Sequence, residues 1–169
     1  MADDVFGIEV GQKVFCDPFI YSRTLGGTSD GILIGWTGLA AASPQTQSLW
    51  KDGAFAEKIL LPAECLTPLG DTESIDLNQL ACLSYLAIPY GGFLRGELRP
   101  GQTLIVNGAT GNLGAAAVLV ALAMGVSKIV AVGRDQDTLE KLVQLDRKRV
   151  VAAPITGSAA EYTERISEA

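Results

Sequence analysis

The sequence predicts an α/β protein, in which a β-rich domain is followed by a doubly wound parallel sheet. The main observation is the segment Gln102–Arg134, which reads as a strand, a glycine-rich turn, a helix and a second strand. Short strand candidates separated by loop signals precede it, and helix-forming residues begin near Leu69–Asp71. We therefore expect one domain over residues 1–68 and a second over residues 69–169.

The first part of the chain contains short apolar runs bounded by turn-forming residues. The strand candidates are Lys13–Phe19, Gly31–Trp36 and Ala54–Leu61, and the loop candidates are Gly26–Asp30 and Ala42–Ser48. The aromatic residues of this part are expected in its core or at the core's rim rather than around a ligand: Tyr21, Trp36, Trp50 and Phe55. This pattern favours a β-rich unit.

A helix is predicted between the β-rich part and the glycine-rich segment. Ser74 or Asp76 could cap it, and it would run from about Leu77 to Tyr90. One apolar face would carry Leu80, Leu83, Leu86 and Ala87. Gly91-Gly92 and Arg99–Gly101 are then expected to lead into the first parallel strand.

The glycine-rich segment predicts a βαβ unit. Its elements are a strand at Thr103–Asn107, a helix from Asn112 to Met124 ended by Gly125, and a strand at Lys128–Val132. The turn follows the pattern G-x-G-x-x-G with alanine in the first place, and it contains Gly108, Ala109, Thr110, Gly111, Asn112, Leu113 and Gly114. In such units the second glycine lets the backbone approach a pyrophosphate, and the third lets the helix pack closely on the strand.

This turn predicts a dinucleotide-binding site, because the helix dipole and the first helical amides favour an anion. The alternative is a tight strand–helix turn in an α/β protein that binds no nucleotide. A P-loop is excluded by the missing Gly-Lys-Ser/Thr.

The end of the second strand predicts which dinucleotide is bound. An acidic residue about 20 positions after the glycines bonds the ribose 2′-hydroxyl of NAD, and here that position falls at Gly133 and Arg134. Glycine leaves room for a 2′-phosphate and a guanidinium can bind it, so NADP is favoured over NAD. Asp135 is the opposing observation, since its carboxylate could bond a 2′-hydroxyl.

Three further elements complete the predicted fold. Asp137–Glu140 has the pattern of a capping box and would open a helix to about Leu145. Val150–Ala152 is expected as a third strand, and Glu161–Glu168 as a short final helix.

Composition excludes several functional classes. Apolar residues make up 48% of the chain without a membrane-length run, and the acidic N-terminus does not resemble a secretion signal. The net charge of −6 disfavours a nucleic-acid partner, so a small-molecule substrate and a cytoplasmic location are expected. Histidine is absent, and Cys16, Cys65 and Cys82 are too scattered for zinc, so we expect reduced, mostly buried thiols and no metal.

Several segments together resemble the medium-chain dehydrogenase/reductase superfamily, which includes alcohol dehydrogenase-like and quinone oxidoreductase-like enzymes. They are Val10–Val14, Asp52–Glu57, Leu98–Gln102 and Gly108–Gly114. The resemblance implies a partial GroES-like domain, then a partial Rossmann domain, with the chain truncated at both ends relative to the family. It also implies that a full-length member of the family can form a homodimer. A family zinc ligand would fall near Leu83, beside Cys82, but a buried core thiol is the favoured interpretation of Cys82.

The resemblance implies an NADP-dependent oxidoreductase that transfers hydride to or from a carbonyl, an alcohol or an activated C=C bond. The catalytic residues stay unknown, because the family keeps them mostly in segments that this chain does not match. Two alternatives stay open: a non-catalytic nucleotide-binding fragment or pseudoenzyme, and a fragment that folds only beside a partner chain. Whether the 169-residue chain alone has activity is left undecided by its sequence.

Overall fold

A computed structural model describes residues 6–20, 31–39, 41 and 43–168. The chain divides into two compact units, Met1–Ser74 and Ile75–Ala169. The first unit contains short antiparallel strands, and the second contains a parallel sheet with helices. The predicted α/β class is confirmed.

The first unit is built from two small antiparallel sheets in its described part. Strand β1 (Val14–Cys16) pairs with β5 (Leu66–Pro68), and β2 (Phe19–Ile20), β3 (Ile32–Leu33) and β4 (Thr37–Gly38) form the other sheet. Ile20, Ile32 and Cys65 are buried together, with Ile34, Trp50 and Leu61 packed against them. This small cluster is the core of the unit.

Two of the predicted strands are shorter than expected. Lys13–Phe19 is interrupted because Pro18 has no amide hydrogen and the Asp17 carboxylate accepts a hydrogen bond from the Phe19 amide at 2.9 Å. Gly31–Trp36 turns back after Leu33, where Gly35 has a φ of 69° and the Trp36 amide donates to the Leu33 carbonyl at 3.0 Å.

Two other predictions for this unit are wrong. Ala54–Leu61 forms no strand, and Phe55 and Leu60 within it are exposed. Within the predicted loop Ala42–Ser48, helix α1 begins at Ser43 and runs to Leu49. Proline is favoured in the first turn of a helix, where its missing amide hydrogen has no partner to lose, so Pro44 starts a helix here. Ala42, Tyr21 and the loop Gly26–Asp30 lie outside the described residues.

The aromatic and cysteine side chains of the chain are less buried than predicted. Of the predicted core aromatics that are described, Trp36 and Phe55 are exposed, at 79% for Trp36, whereas Trp50 packs on the core. Cys65 is buried, whereas Cys16 and Cys82 are exposed free thiols, and the expectation of mostly buried thiols is wrong for these two.

The second unit begins with two helices instead of the single helix predicted. Helix α2 (Leu77–Ala81) is capped by Asp76, whose carboxylate accepts from the Asn78 amide at 2.8 Å, and α3 (Leu83–Arg95) follows after Cys82. Helix α3 contains Pro89 and continues through Gly91-Gly92, which were expected to lie beyond the end of the helix. Packing of α3 against the next helix outweighs these poor helix formers.

The centre of the second unit is a parallel sheet. Strands β6 (Thr103–Asn107), β7 (Lys128–Gly133) and β8 (Val150–Pro154) lie in the order β6-β7-β8. They alternate with helices α4 (Asn112–Ala123), α5 (Gln136–Leu145) and α6 (Ala159–Glu168). Every strand and helix predicted for this segment is present, with ends within two residues of the predicted ones.

Buried apolar side chains join the helices to the sheet. The core contains residues of β6, β7, β8, α4, α5 and the turn before β7: Val106, Val118, Ala121, Val126, Ile129, Leu139, Leu142 and Val150. Gly125 ends α4 as predicted, since its φ is 81° and the Val126 amide donates to the Ala121 carbonyl at 3.1 Å. Asn107 pairs with Val132 and Gly133 with Pro154, so the carboxyl ends of the strands meet at one edge.

Candidate functional site

The glycine-rich turn lies at the carboxyl edge of the parallel sheet. The Ala109 amide donates to the Val132 carbonyl at 2.8 Å, which fixes the turn to the neighbouring strand β7. Ala109 is fully buried, whereas Gly108, Gly111 and Asn112 are exposed at the edge. In open α/β sheets this edge is where ligands bind.

Gly108 and Gly114 allow strand β6 and helix α4 to approach closely. Gly108 has a φ of 75°, which side chains disfavour. A Cβ atom on Gly114 would collide with the Gly108 carbonyl oxygen and lie 2.7 Å from the Cα atom of Ala109. The predicted packing role of Gly114 follows directly from this contact.

Gly111 has a different environment from Gly114. It precedes α4 with φ −88° and ψ 166°, an extended conformation that any residue adopts. A Cβ atom there would have an ordinary 3.5 Å contact with the Gly108 carbonyl oxygen. Nothing in the described protein therefore requires glycine at this position.

The N-terminus of α4 is not capped by a side chain. Its first helical hydrogen bond runs from the Ala115 amide to the Gly111 carbonyl at 2.8 Å, so the amides of Asn112, Leu113 and Gly114 precede that bond. Together with the helix dipole, these amides favour an anion at the turn.

Gly133 and Arg134 end strand β7 at the same edge. Gly133 is buried, and a Cβ atom on it would lie 2.5 Å from Cγ2 of Thr110. Arg134 is exposed, and no hydrogen bond or ion pair joins it to another described residue. The structure thus brings all the predicted site residues to one edge of the sheet. The exposed guanidinium of Arg134 is available there to bind an anion.

Asp135 begins helix α5 and has a structural role. Its carboxylate accepts a hydrogen bond from the Thr138 amide at 2.7 Å. Hydrogen bonds from the Thr138 side chain and backbone lower the pKa of Asp135, so the carboxylate is ionised at neutral pH. The prediction that Asp137 opens this helix is wrong, because the extended residue before its first turn is Asp135.

A third loop at this edge was missed in the sequence analysis. The Ile155 amide donates to the Gly133 carbonyl at 2.7 Å, and Gly157 follows with a φ of 80°. The Ser158 amide donates to the Glu161 carboxylate at 2.6 Å, a contact that lowers the pKa of Glu161. Serine followed three residues later by glutamate is a capping-box signal that could have predicted the start of α6.

The described residues contain no cluster of three or more histidine, cysteine or acidic side chains able to hold a metal ion. Cys82 is exposed, not the buried core thiol that was expected, and its thiol donates to the Asn78 carbonyl at 3.4 Å. Among the described helices, none is long and apolar enough to span a membrane.

Comparison with known proteins supplies relatives for this chain. No protein-family model matches it. An NAD-dependent alcohol dehydrogenase of Sulfurisphaera tokodaii is 31% identical over 99 residues, which cover 58% of this chain and 28% of that protein. A quinone oxidoreductase of Thermus thermophilus, whose crystal structures include a complex with NADPH, superposes with a TM-score of 0.54. It is 30% identical, over 69% of this chain and 36% of that one.

In sequence and fold the chain resembles alcohol dehydrogenases and a quinone oxidoreductase, as the predicted resemblance to the medium-chain dehydrogenase/reductase superfamily implied.

A third comparison confirms the fold over nearly all of this chain. The alcohol dehydrogenase TADH from a Thermus species superposes with a TM-score of 0.71 and 24% identity, over 95% of this chain and 47% of that one. The expected fold class, GroES-like strands followed by a Rossmann sheet, is therefore confirmed. The chain spans about a third or less of the length of the curated relatives it matches.

Proposed function

We propose that this protein is an NADP-dependent oxidoreductase that transfers hydride between the nicotinamide and a carbonyl, an alcohol or an activated C=C bond. The observation that carries the proposal is the single edge at which the glycine turn, the uncapped helix N-terminus and the free Arg134 side chain meet. In this proposal residues 69–169 hold the nucleotide, and residues 1–68 contribute to the substrate domain.

The pyrophosphate would lie over the turn between β6 and α4. Gly111 directs no side chain toward that space, and the amides of Asn112, Leu113 and Gly114 face a ligand there with the positive end of the helix dipole. Gly108, Ala109 and Thr110 would form the rest of this cradle. Backbone amides at a helix N-terminus are a general means of binding phosphate groups.

NADP is favoured over NAD by the charges at the end of β7. Position 133 carries no carboxylate to repel a 2′-phosphate, and the Arg134 guanidinium is exposed beside it. Asp135, which could have bonded a 2′-hydroxyl, is already engaged as the cap of α5. The relatives include both types, since one is named an NAD-dependent enzyme and another was crystallised with NADPH.

The bound cofactor would supply the hydride, and the protein would position it and exclude water. A small molecule is the proposed substrate, as the names of the relatives suggest for their own chemistry. The absence of a nucleic-acid partner, a homodimer of the longer form and a cytoplasmic location stay predictions from the sequence.

The proposal is tested by replacing Gly111 with valine and titrating NADPH. The valine side chain would stand where the phosphates approach, while the extended backbone at this position accepts it without strain. We expect NADPH affinity to fall by about tenfold or more, which corresponds to about 1.4 kcal/mol.

The matched control is Gly70→Val. Gly70 is also exposed, and a Cβ atom on it would meet nothing within 4 Å. This variant should bind NADPH as the wild type does. If Gly111→Val binds NADPH as tightly as Gly70→Val, while both keep the wild-type circular dichroism spectrum, the dinucleotide site is not at this turn.

A further inference from the structure

The side chain of Thr110 lies in the space that Gly133 leaves empty. A Cβ atom on Gly133 would be 2.5 Å from Cγ2 and 3.0 Å from Oγ1 of Thr110. Gly133 has no left-handed backbone, so its φ angle does not require glycine. Glycine at this position is explained by the threonine side chain that covers it.

The backbones on both sides of this contact are fixed. The Ala109 amide, next to Thr110, donates to the Val132 carbonyl at 2.8 Å. The Gly133 carbonyl accepts from the Ile155 amide at 2.7 Å, and Gly133 pairs with Pro154 in the sheet. A larger side chain at position 133 therefore cannot be accommodated by separating the two segments, and the threonine side chain must move instead.

Position 133 lies about 20 residues after the glycines, where NAD-binding units have an acidic residue that bonds the ribose 2′-hydroxyl. We propose that Thr110 is a positioning residue that determines whether the ribose of NAD or of NADP is bound. Its side chain packs against Gly133 and excludes an acidic side chain from position 133, so that Arg134 binds the 2′-phosphate of NADP. This inference rests on the proposed function, and it adds that cofactor choice depends on a residue of the phosphate turn. An exchange of Gly133 alone would then fail to produce an NAD enzyme.

The test compares Gly133→Asp with the double variant Thr110→Ala/Gly133→Asp, using NADH and NADPH titrations of the 169-residue chain. Gly133→Asp alone should weaken both nucleotides by about tenfold or more, because the displaced Thr110 side chain disturbs the phosphate turn. Thr110→Ala removes Cγ2 and Oγ1, so the double variant should recover NADH binding while NADPH stays weak. If Gly133→Asp alone binds NADH as tightly as the double variant, the inference is overturned.

Thr110→Val separates shape from hydrogen bonding. Valine has nearly the same shape as threonine but lacks the hydroxyl, so it should keep the ratio of NADPH to NADH affinity within about twofold. A larger change in that ratio would show that the hydroxyl sets the choice and would contradict the inference.

A stability measurement tests the contact without any nucleotide. Gly133→Ala should lower the urea midpoint in the wild-type background and lower it much less in the Thr110→Ala background. Additive effects would overturn the inference by themselves. A wild-type chain that binds neither NADH nor NADPH would contradict the proposed function, and the ribose role of Thr110 with it. Nucleotide binding together with additive effects would contradict the Thr110 inference alone.

Discussion

The carbonyl oxygen of Gly108 occupies the position where a side chain on Gly114 would begin. Gly108 directly follows strand β6 and Gly114 lies in the first turn of helix α4, so this approach sets how closely the helix lies on the sheet. The contact connects the glycine-rich turn with the core of the second unit, since Ala109 and Ala116 beside it are buried.

Gly114→Ala should destabilise the chain. The new methyl group would overlap the Gly108 carbonyl and lie 2.7 Å from the Cα atom of Ala109, so backbone must shift. A loss of about 1–3 kcal/mol in the free energy of unfolding is expected for such overpacking. Gly92→Ala is the control, because a Cβ atom on this helical glycine meets nothing within 4 Å, and it should stabilise the chain by about 0.5–1 kcal/mol. Urea unfolding measures both, and equal effects would contradict the close approach.

Arg134→Ala should change cofactor selectivity. NADPH alone carries the 2′-phosphate, so its affinity should fall by roughly one to two orders of magnitude, corresponding to a charge-assisted hydrogen bond of about 1.5–3 kcal/mol, while NADH changes little. Arg147→Ala is the matched control, since this exposed arginine precedes β8 and lies near the opposite edge of the sheet. Equal losses of NADH and NADPH in Arg134→Ala would favour Asp135 as the ribose ligand and NAD as the cofactor.

Acid should weaken the second unit through Asp146. Its carboxylate bonds the Arg149 side chain at 2.7 Å and also the Lys148 and Arg149 amides, and these bonds lower its pKa. A carboxylate with a lowered folded-state pKa stabilises the fold above its unfolded pKa of about 3.9, and the contribution is lost as the pH falls through the folded value.

Asp146→Asn should therefore lower the urea midpoint most at neutral pH, and the difference from wild type should shrink below about pH 4. The control Glu164→Gln, at an exposed carboxylate in the middle of α6 with no hydrogen bond to another described residue, should show little difference at any pH. A difference for Asp146→Asn that is independent of pH would contradict the role of its charge.

Ile105→Lys should reduce self-association of the 169-residue chain. Among the described strands β6 pairs with β7 alone, so its other edge has free backbone groups, and Ile105 on this strand is 54% exposed. Charged residues on edge strands oppose pairing with another chain. Leu94→Lys, at an equally exposed apolar residue of helix α3, is the control and should have less effect on sedimentation. Equal reductions would indicate general surface hydrophobicity instead of strand pairing.

The β-α-β-α-β segment could be predicted from the sequence because its signals are local. Continuous apolar runs such as Leu104–Val106 specify strands buried in a parallel sheet, and Gly125 specifies the end of α4 through its positive φ. The order of these elements and their lengths follow from the same short-range patterns. Even there, the sequence predicted Asp137 as the start of α5, whereas Asp135 caps this helix. Both carboxylates suit the first turn of a helix, and the end of strand β7 decides which of them has an extended backbone.

In the first unit the sequence was a weaker guide because strand formation depends on pairing partners. Ala54–Leu61 has the composition of a strand but no partner among the described residues, while Ser43–Leu49 forms a helix from residues typical of a loop. Short segments with little apolar periodicity have no strong local preference, so their neighbours decide their conformation.

By itself, the sequence determined the α/β class, the parallel strands and the glycine turn, since periodicity and glycine positions act within a few residues along the chain. Only the tertiary structure decided why Gly133 is a glycine. The sequence suggested room for a 2′-phosphate, whereas in the fold Thr110, distant in sequence, fills that room. Such a contact depends on the register between the turn and β7, and no pattern of neighbouring residues carries that information.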